Sequence, residues 1–341
     1  MILFMDSFDH LATADLTEKW TSMNGVTIGA AAGRRGSGGL VGNGADHYAA
    51  KGIAASSSTI IMGAAVTNTN PVGTIWRLMM IGESGGTHVQ LYFTSDGKVN
   101  VGRMAGTGWD YGGTPTLLCE SAAGLVTTGV TYYVEWLVLI ADAPGGSVAV
   151  RVNGLEVASA TGVDTRNGGT GVPTVIYLGS FTTFDDLYVS DGAGAAPGNT
   201  FLGDCRVDAC RPTAAGATTG WTPSTGANWQ CVDDATPNDD TDYTSATAAG
   251  VTDTFVVENA PAVGATIFGV QHCLSAKKTD AGAATLAPVV RQSGVDYVGT
   301  DLSPSTTYAT LLQIQATNPG TGAAWTEAGF NAAEFGYRRT G

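Results

Sequence analysis

Charge is what this chain has least of. Asp, Glu, Lys and Arg make up 13% of its 341 residues, about half the usual share. Basic residues are scarcer still, 16 against 30 acidic ones, for a formal net charge of −14. Nucleic acids and anionic membranes both select a basic surface, so neither partner is expected. No window approaches the 18 or more apolar residues of a membrane span, which excludes helical insertion. The opening MILFMDSFDH has a four-residue apolar run broken by Asp6. That run is too short for a signal-peptide core and lacks a basic start.

Glycine is abundant, 48 residues, roughly twice average usage. Small uncharged residues suit short strands joined by tight turns, as in an ordinary secreted β-sandwich. The length allows two cores of normal size without a disulfide. A period of two dominates the first half. HVQLYFTSDGKVNVGRM (88–104) sets two alternating strands around Asp96-Gly97, a hairpin turn in which glycine accepts positive φ. Further strands are expected near 131–140, 147–152 and 155–159, separated by Pro144-Gly145-Gly146 and Asn153-Gly154. In the first of these, Tyr132, Val134, Trp136 and Val138 are expected in the core; Tyr133, Glu135 and Leu137 face the other way. Turn signals every eight to twelve residues indicate a sandwich.

The stretch FDDLYVSDGAGAAPGNTFLGDCRV (184–207) reads as a last strand, an Asp-Gly stop, a small-residue linker and the start of a new unit. The reading is therefore all-β, with a first sandwich over 1–192, a linker over 193–204 and a C-terminal sandwich over 205–341. In the second half DTFVVENAP, ATIFGVQHCLSAKK, ATLAPVVRQSG, VDYVGTD and TTYATLLQIQAT read as strands. AAWTEAGFNAAEFGYRR reads as a helical turn capped by Thr326 and a final strand.

The F-D-D-L-Y-V-x-D-G strand, the following N-T-F-L-G-D, an opening DSFDHLATADLTEKW and the GRRGSGGLVGNG segment (33–44) carry a resemblance. So do WTPSTGANW (221–229), DDATPNDDTDY (233–243), NPGTGAAWT (318–326) and NAAEFG (331–336), in that order. Together they resemble a family of tailed-bacteriophage structural proteins in which a laminin-G-like (concanavalin-type) jelly roll precedes a second β-domain. The match covers about two-thirds of the chain, and the cysteines are its main departures. The resemblance implies a non-enzymatic virion component, namely a fibre, neck or collar, or capsid decoration, working by association with other virion proteins. A homo-oligomer such as a trimer is expected, assembled in the host cytoplasm and released by lysis. The alternative is a lectin-like module for host-surface glycans, with Trp76, Trp109 and Tyr111 as the stacking face.

Gly82-Glu83-Ser84-Gly85-Gly86 fits G-x-S-x-G, but a strand follows Ser84 where a nucleophile elbow needs a helix. His10, His47, His88 and His272 supply no recognisable triad partner. The E-x-D-x-x-E spacing of sandwich glucanases does not occur, and Glu135 lacks a partner for a retaining pair. No enzymatic activity is expected. Asp233, Asp234, Asp239, Asp240 and Asp242 are calcium candidates, though the loop lacks the Gly and terminal Glu of an EF-hand and reads first as solvated acid. No other cofactor is expected. Asp185 and Asp186 read as exposed acids at a sheet edge. Zinc spacing is absent: Cys205 and Cys210 stand too far apart, and His272 and Cys273 point to opposite faces of a strand.

Five cysteines leave at least one free or linked between chains. An extended 205–210 segment separates its two Cα atoms by about 16 Å, beyond the ~7 Å that a disulfide spans. Each could instead reach Cys231, Cys273 or another subunit, with Cys119 isolated in the first half. Reduced thiols acting as small hydrophobes are the other reading.

Overall fold

The structure, a computed structural model, describes residues 1–69, 76–83, 86–105, 114–179, 181–261 and 264–341, with Trp76 described by its backbone only. The chain is all-β, 45% strand and 5% helix, in β-sandwich architecture of jelly-roll type. It divides into two compact units: Met1–Asp9 with Trp20–Val207, and His10–Lys19 with Asp208–Gly341. Among the described residues no helix is long and apolar enough to cross a membrane.

The first unit is two antiparallel sheets. One runs in the order Leu155–Val163, Gly146–Val152, Thr131–Leu139, Thr59–Asn68, Thr182–Ser190, Gly39–Gly42, Thr27–Gly29, with Ile2–Asp6 also paired to Thr182–Ser190. The other runs Thr116–Glu120, Val99–Arg103, Gly86–Phe93, Trp76–Glu83, Val175–Gly179, Tyr48–Gly52, Ser22–Asn24. Alternation fills the space between them, as the pattern requires. Val134, Trp136 and Val138 are buried beside Ile60, Met62 and Ala64, while Val89, Leu91, Val99 and Val101 come from the seven-stranded side. The turns are those expected. Asn153 (φ 49°) and Gly154 (φ 80°) join Gly146–Val152 to Leu155–Val163, and Gly97 (φ 76°) closes the 88–104 hairpin.

Tyr133 and Glu135 depart from expectation, because they are buried too. The reason is the 193–204 stretch and its continuation. Rather than running free, Phe201, Leu202 and Cys205 pack on Ile61, Ala65, Tyr133 and Tyr188 on the outer face of the eight-stranded sheet.

In the second unit a five-stranded sheet runs Pro212–Thr219, Thr252–Val257, Glu334–Arg339, Leu286–Gln292, Val295–Val298. A two-stranded sheet pairs Val270–Ala276 with Ala309–Gln315. Leu274, Ala276 and Leu311 pack on Phe255, Leu286 and Tyr337, and the His272 ring lies 5.6 Å from that of Phe335. Thr326 caps Glu327–Asn331, its hydroxyl accepting Gly329 N–H at 3.0 Å. The final strand Glu334–Arg339 follows, as the sequence pattern expects.

Candidate functional site

On the seven-stranded sheet, the residues that alternate with the core set form a second face. Gln90 stands opposite Gly102 and Met80; Met80 stands opposite Tyr177, and Tyr177 opposite Ala50. One register step along, Tyr92 faces Asn100 and Arg77. Met80, Tyr177 and Ala50 pack with Tyr48 and Val175, and the Tyr48 and Tyr177 rings sit 6.0 Å apart. A Cβ on Gly102 would come within 2.5 Å of Pro115, so glycine is needed where that proline approaches.

This face carries polar groups that the fold leaves unmatched. His88 is 0% exposed, Gln90 1% and Asn100 6%. Nonetheless His88 Nε2, Gln90 Oε1 and Asn100 Oδ1 have no hydrogen-bond partner among the described residues. Each such group costs about 1–3 kcal/mol when buried and unmade. Three on adjacent positions of one face are unusual in a packed interior, where polar atoms are almost always paired. At the same end, Glu83 accepts from Thr170 N at 2.6 Å and from the Thr170 hydroxyl at 2.7 Å. Its Oε2 lies 3.9 Å from His88 Nε2.

The opposite side of the sandwich holds a polar cluster centred on Arg34, in which Glu135 Oε2 is without a partner among the described residues. Asp185 and Asp186, expected as exposed edge acids, are 3% and 2% exposed. A register shift between Asp185 and Tyr188 and a positive φ of 52° at Asp186 turn the pair out of the strand's alternation. Arg34 Nε donates to Asp186 Oδ2 at 2.5 Å, and its other nitrogens donate to Asp204 and the Cys205 carbonyl. Arg35 donates to Asp186 at 2.8 Å, and Val207 N–H to its second oxygen at 2.7 Å. Asp185 accepts from Arg34 N–H and the Ser37 hydroxyl. Its pKa rises to about 6, because burial and then the neighbouring Asp186 disfavour its charge. Tyr188 OH donates to Glu135 Oε1 at 2.6 Å, and Gly203 N–H reaches the same oxygen at 2.9 Å.

The other sequence candidates are scattered. Trp109 and Tyr111 lie outside the described residues, as does Ser84, and of Trp76 only the backbone is described. The acidic loop does not gather its carboxylates around a point. Asp240 binds Lys277 at 2.6 Å and the Tyr308 hydroxyl at 3.1 Å, while Asp234 and Asp242 share Asn238. Among the described residues no three His, Cys, Asp or Glu side chains are grouped to hold a metal. All five cysteines are free thiols, with no pair bonded within the chain, as in the reduced-thiol reading. Burial first of all raises Cys119 to about 11 and Cys205 to about 12. Cys231 is buried and its Sγ donates to Thr225 O; Cys273 is exposed on the strand face opposite buried His272.

Sequence reasoning missed the His88, Gln90 and Asn100 set. The signal was present in HVQLYF, where polar residues hold alternate positions of a strand without any charge.

No family model and no curated protein matches the chain. Several solved structures share its fold. An endo-β-1,4-glucuronan lyase from the fungus Trichoderma reesei is 10% identical, with a TM-score of 0.37 over 50% of this chain and 90% of that one. The PL-14 alginate lyase of Aplysia kurodai is 15% identical, with a TM-score of 0.35 over 48% and 86%. The galectin LEC-6 of Caenorhabditis elegans is 14% identical, with a TM-score of 0.30 over 41% and 89%. The likeness is one of fold. None of the three is a phage protein, and two are enzymes. The expectation that this chain has no enzymatic activity is corrected accordingly: missing glucanase and triad spacings give no ground for excluding catalysis in this architecture.

Proposed function

We propose that the chain is a carbohydrate-binding β-sandwich protein whose ligand engages the seven-stranded sheet, where His88, Gln90 and Asn100 are buried and become available only when what covers them moves aside. The observation that supports this is the cluster of buried, unpartnered polar atoms on His88, Gln90 and Asn100, flanked by Tyr92, Met80 and Tyr177. Sugar hydroxyls both donate and accept, so they match a face that offers acceptors and a ring nitrogen beside aromatic and thioether surface. Glycan-array screening of the full chain tests the reading. Gln90→Ala and Asn100→Ala should each weaken a bound glycan roughly two- to tenfold, the worth of one neutral hydrogen bond. Failure of every glycan to bind would sink it.

A second reading is that the protein is carried on a tailed-phage particle. Its support is that the segments bearing the family resemblance, Gly33–Gly36, Phe184–Gly192 and Asn199–Asp204, converge through Arg34 on Asp186 and Asp204. Antibody labelling of purified particles tests it; particles that never carry the label would refute it.

A further inference from the structure

Four strands of the eight-stranded sheet carry one row of outward positions. Tyr188 stands opposite Gly63, Gly63 opposite Glu135, and Glu135 opposite Arg151. Directly opposed residues of antiparallel neighbours share a face, so Glu135 and Arg151 are placed for a cross-strand ion pair. Instead, Glu135 Oε1 accepts the Tyr188 hydroxyl at 2.6 Å and Gly203 N–H at 2.9 Å. Its Oε2 and the buried Arg151 Nε have no hydrogen-bond partner among the described residues. The Arg151 guanidinium lies 4.4 Å from the centre of the Phe201 ring.

Both diversions come from the 199–207 segment. Gly203 holds the carboxyl and Phe201 holds the guanidinium, so one segment keeps apart two groups whose charge-assisted hydrogen bond would be among the stronger ones. The segment is tied down at a few points. Arg34 reaches Asp204 and the Cys205 carbonyl, Val207 N–H donates to Asp186 at 2.7 Å, and Leu202 N–H donates to the Tyr188 hydroxyl at 3.3 Å. Asp204 is 55% exposed, and the preceding residues 193–198 are small. Segments with few anchors and a small-residue approach are where local opening occurs.

We propose that residues 199–207 form a strap with two states. Closed, it engages Glu135 through Gly203 and Arg151 through Phe201. Open, it releases both, and Glu135 turns to Arg151, so the face that loses its cover gains an ion pair of its own. That pair raises the open population above what the lost contacts alone would leave. The device lies on the eight-stranded sheet and needs no ligand on the other one.

Hydrogen exchange on the full chain tests for the open state. The amides of Leu202, Gly203 and Val207 should exchange together, at least tenfold faster than those of Thr59–Asn68 beneath them. Exchange of both sets only through unfolding of the first unit would overturn the strap. Cys205 packs on the covered face, so its native-state alkylation, referred to the rate in denaturant, measures opening in variants. Arg151→Met removes the contact with Phe201 in any background, whereas Glu135→Gln keeps an acceptor for Gly203 N–H and removes the charge. The change in opening caused by Arg151→Met should be about two- to fivefold lower with Glu135 present than in Glu135→Gln, the worth of an exposed ion pair. Equal changes in the two backgrounds would show that Glu135 and Arg151 do not meet, and would overturn the proposal. Glu156 stands opposite Arg151 on its other side and is already exposed. Coupling to Glu156→Gln in place of Glu135→Gln would overturn it as well.

Discussion

Replacing Arg34 by Ala should open the cover over the eight-stranded sheet. The guanidinium side chain is 13% exposed, lies 5.1 Å from the Tyr133 ring centre and ties Asp186, Asp204 and the Cys205 carbonyl together. Removing one partner of a buried ion pair costs about 3–5 kcal/mol. The low end applies here, because Asp186 keeps Arg35 and the Val207 N–H, and Asp204 is 55% exposed, so that arm adds little. About 3 kcal/mol lowers the melting temperature of a unit this size by roughly 6–12 °C. The cover also shields Cys205, whose thiol burial pushes up to about 12, leaving almost no reactive thiolate near pH 8. In Arg34→Ala, native-state alkylation of Cys205 should therefore accelerate, read by mass spectrometry of the 199–207 peptide. A variant that melts within about 1 °C of wild type and alkylates Cys205 no faster would refute the account.

Other outcomes follow from the same geometry. A Cβ on Gly63 would come within 2.2 Å of the Tyr188 ring. Gly63→Ala should thus displace Tyr188 from Glu135 and destabilise the first unit by about 1–3 kcal/mol, seen as an earlier denaturant midpoint; an unchanged midpoint would show that the ring can shift freely. Asp185 has its pKa raised to about 6, so folding penalises its charged form. Its contribution is best below the unfolded value near 3.8 and is lost as pH rises through 6. Relative to Asp185→Asn, wild-type melting temperature should climb between pH 7 and pH 5, and parallel curves would contradict the assignment. Thiol titration in denaturant without reductant should count five thiols per chain, with Cys273 reacting first in the native state; a lower count would reveal a bond between chains.

Hairpins and core strands were readable from the residues because local rules determine them. Asn-Gly and Asp-Gly permit positive φ, and Val134, Trp136 and Val138 have only one apolar direction to point. The acid pair was misread for the same local reason. Asp185 and Asp186 look like solvated edge residues until a bulge turns them toward Arg34, which lies 151 and 152 residues earlier. Period-two reasoning assigns a strand one inner and one outer face, and it has no term for a later segment that returns to cover the outer one. Phe201 and Leu202 do that, burying Tyr133, Glu135 and Tyr188 together.

The two outer faces of the first unit both carry buried polar groups, and they meet them differently. On the eight-stranded sheet, Glu135 Oε1, Tyr188, Asp185 and Asp186 all find partners in neighbouring loops and in the 201–207 segment. The cover answers most of that face but not all of it, since Glu135 Oε2, Arg151 Nε and Ser190 Oγ are without a hydrogen-bond partner among the described residues. On the seven-stranded sheet, His88 Nε2, Gln90 Oε1 and Asn100 Oδ1 are likewise without a partner among the described residues. Unpartnered buried atoms thus stand on both faces, and each costs about 1–3 kcal/mol while it stays unmade.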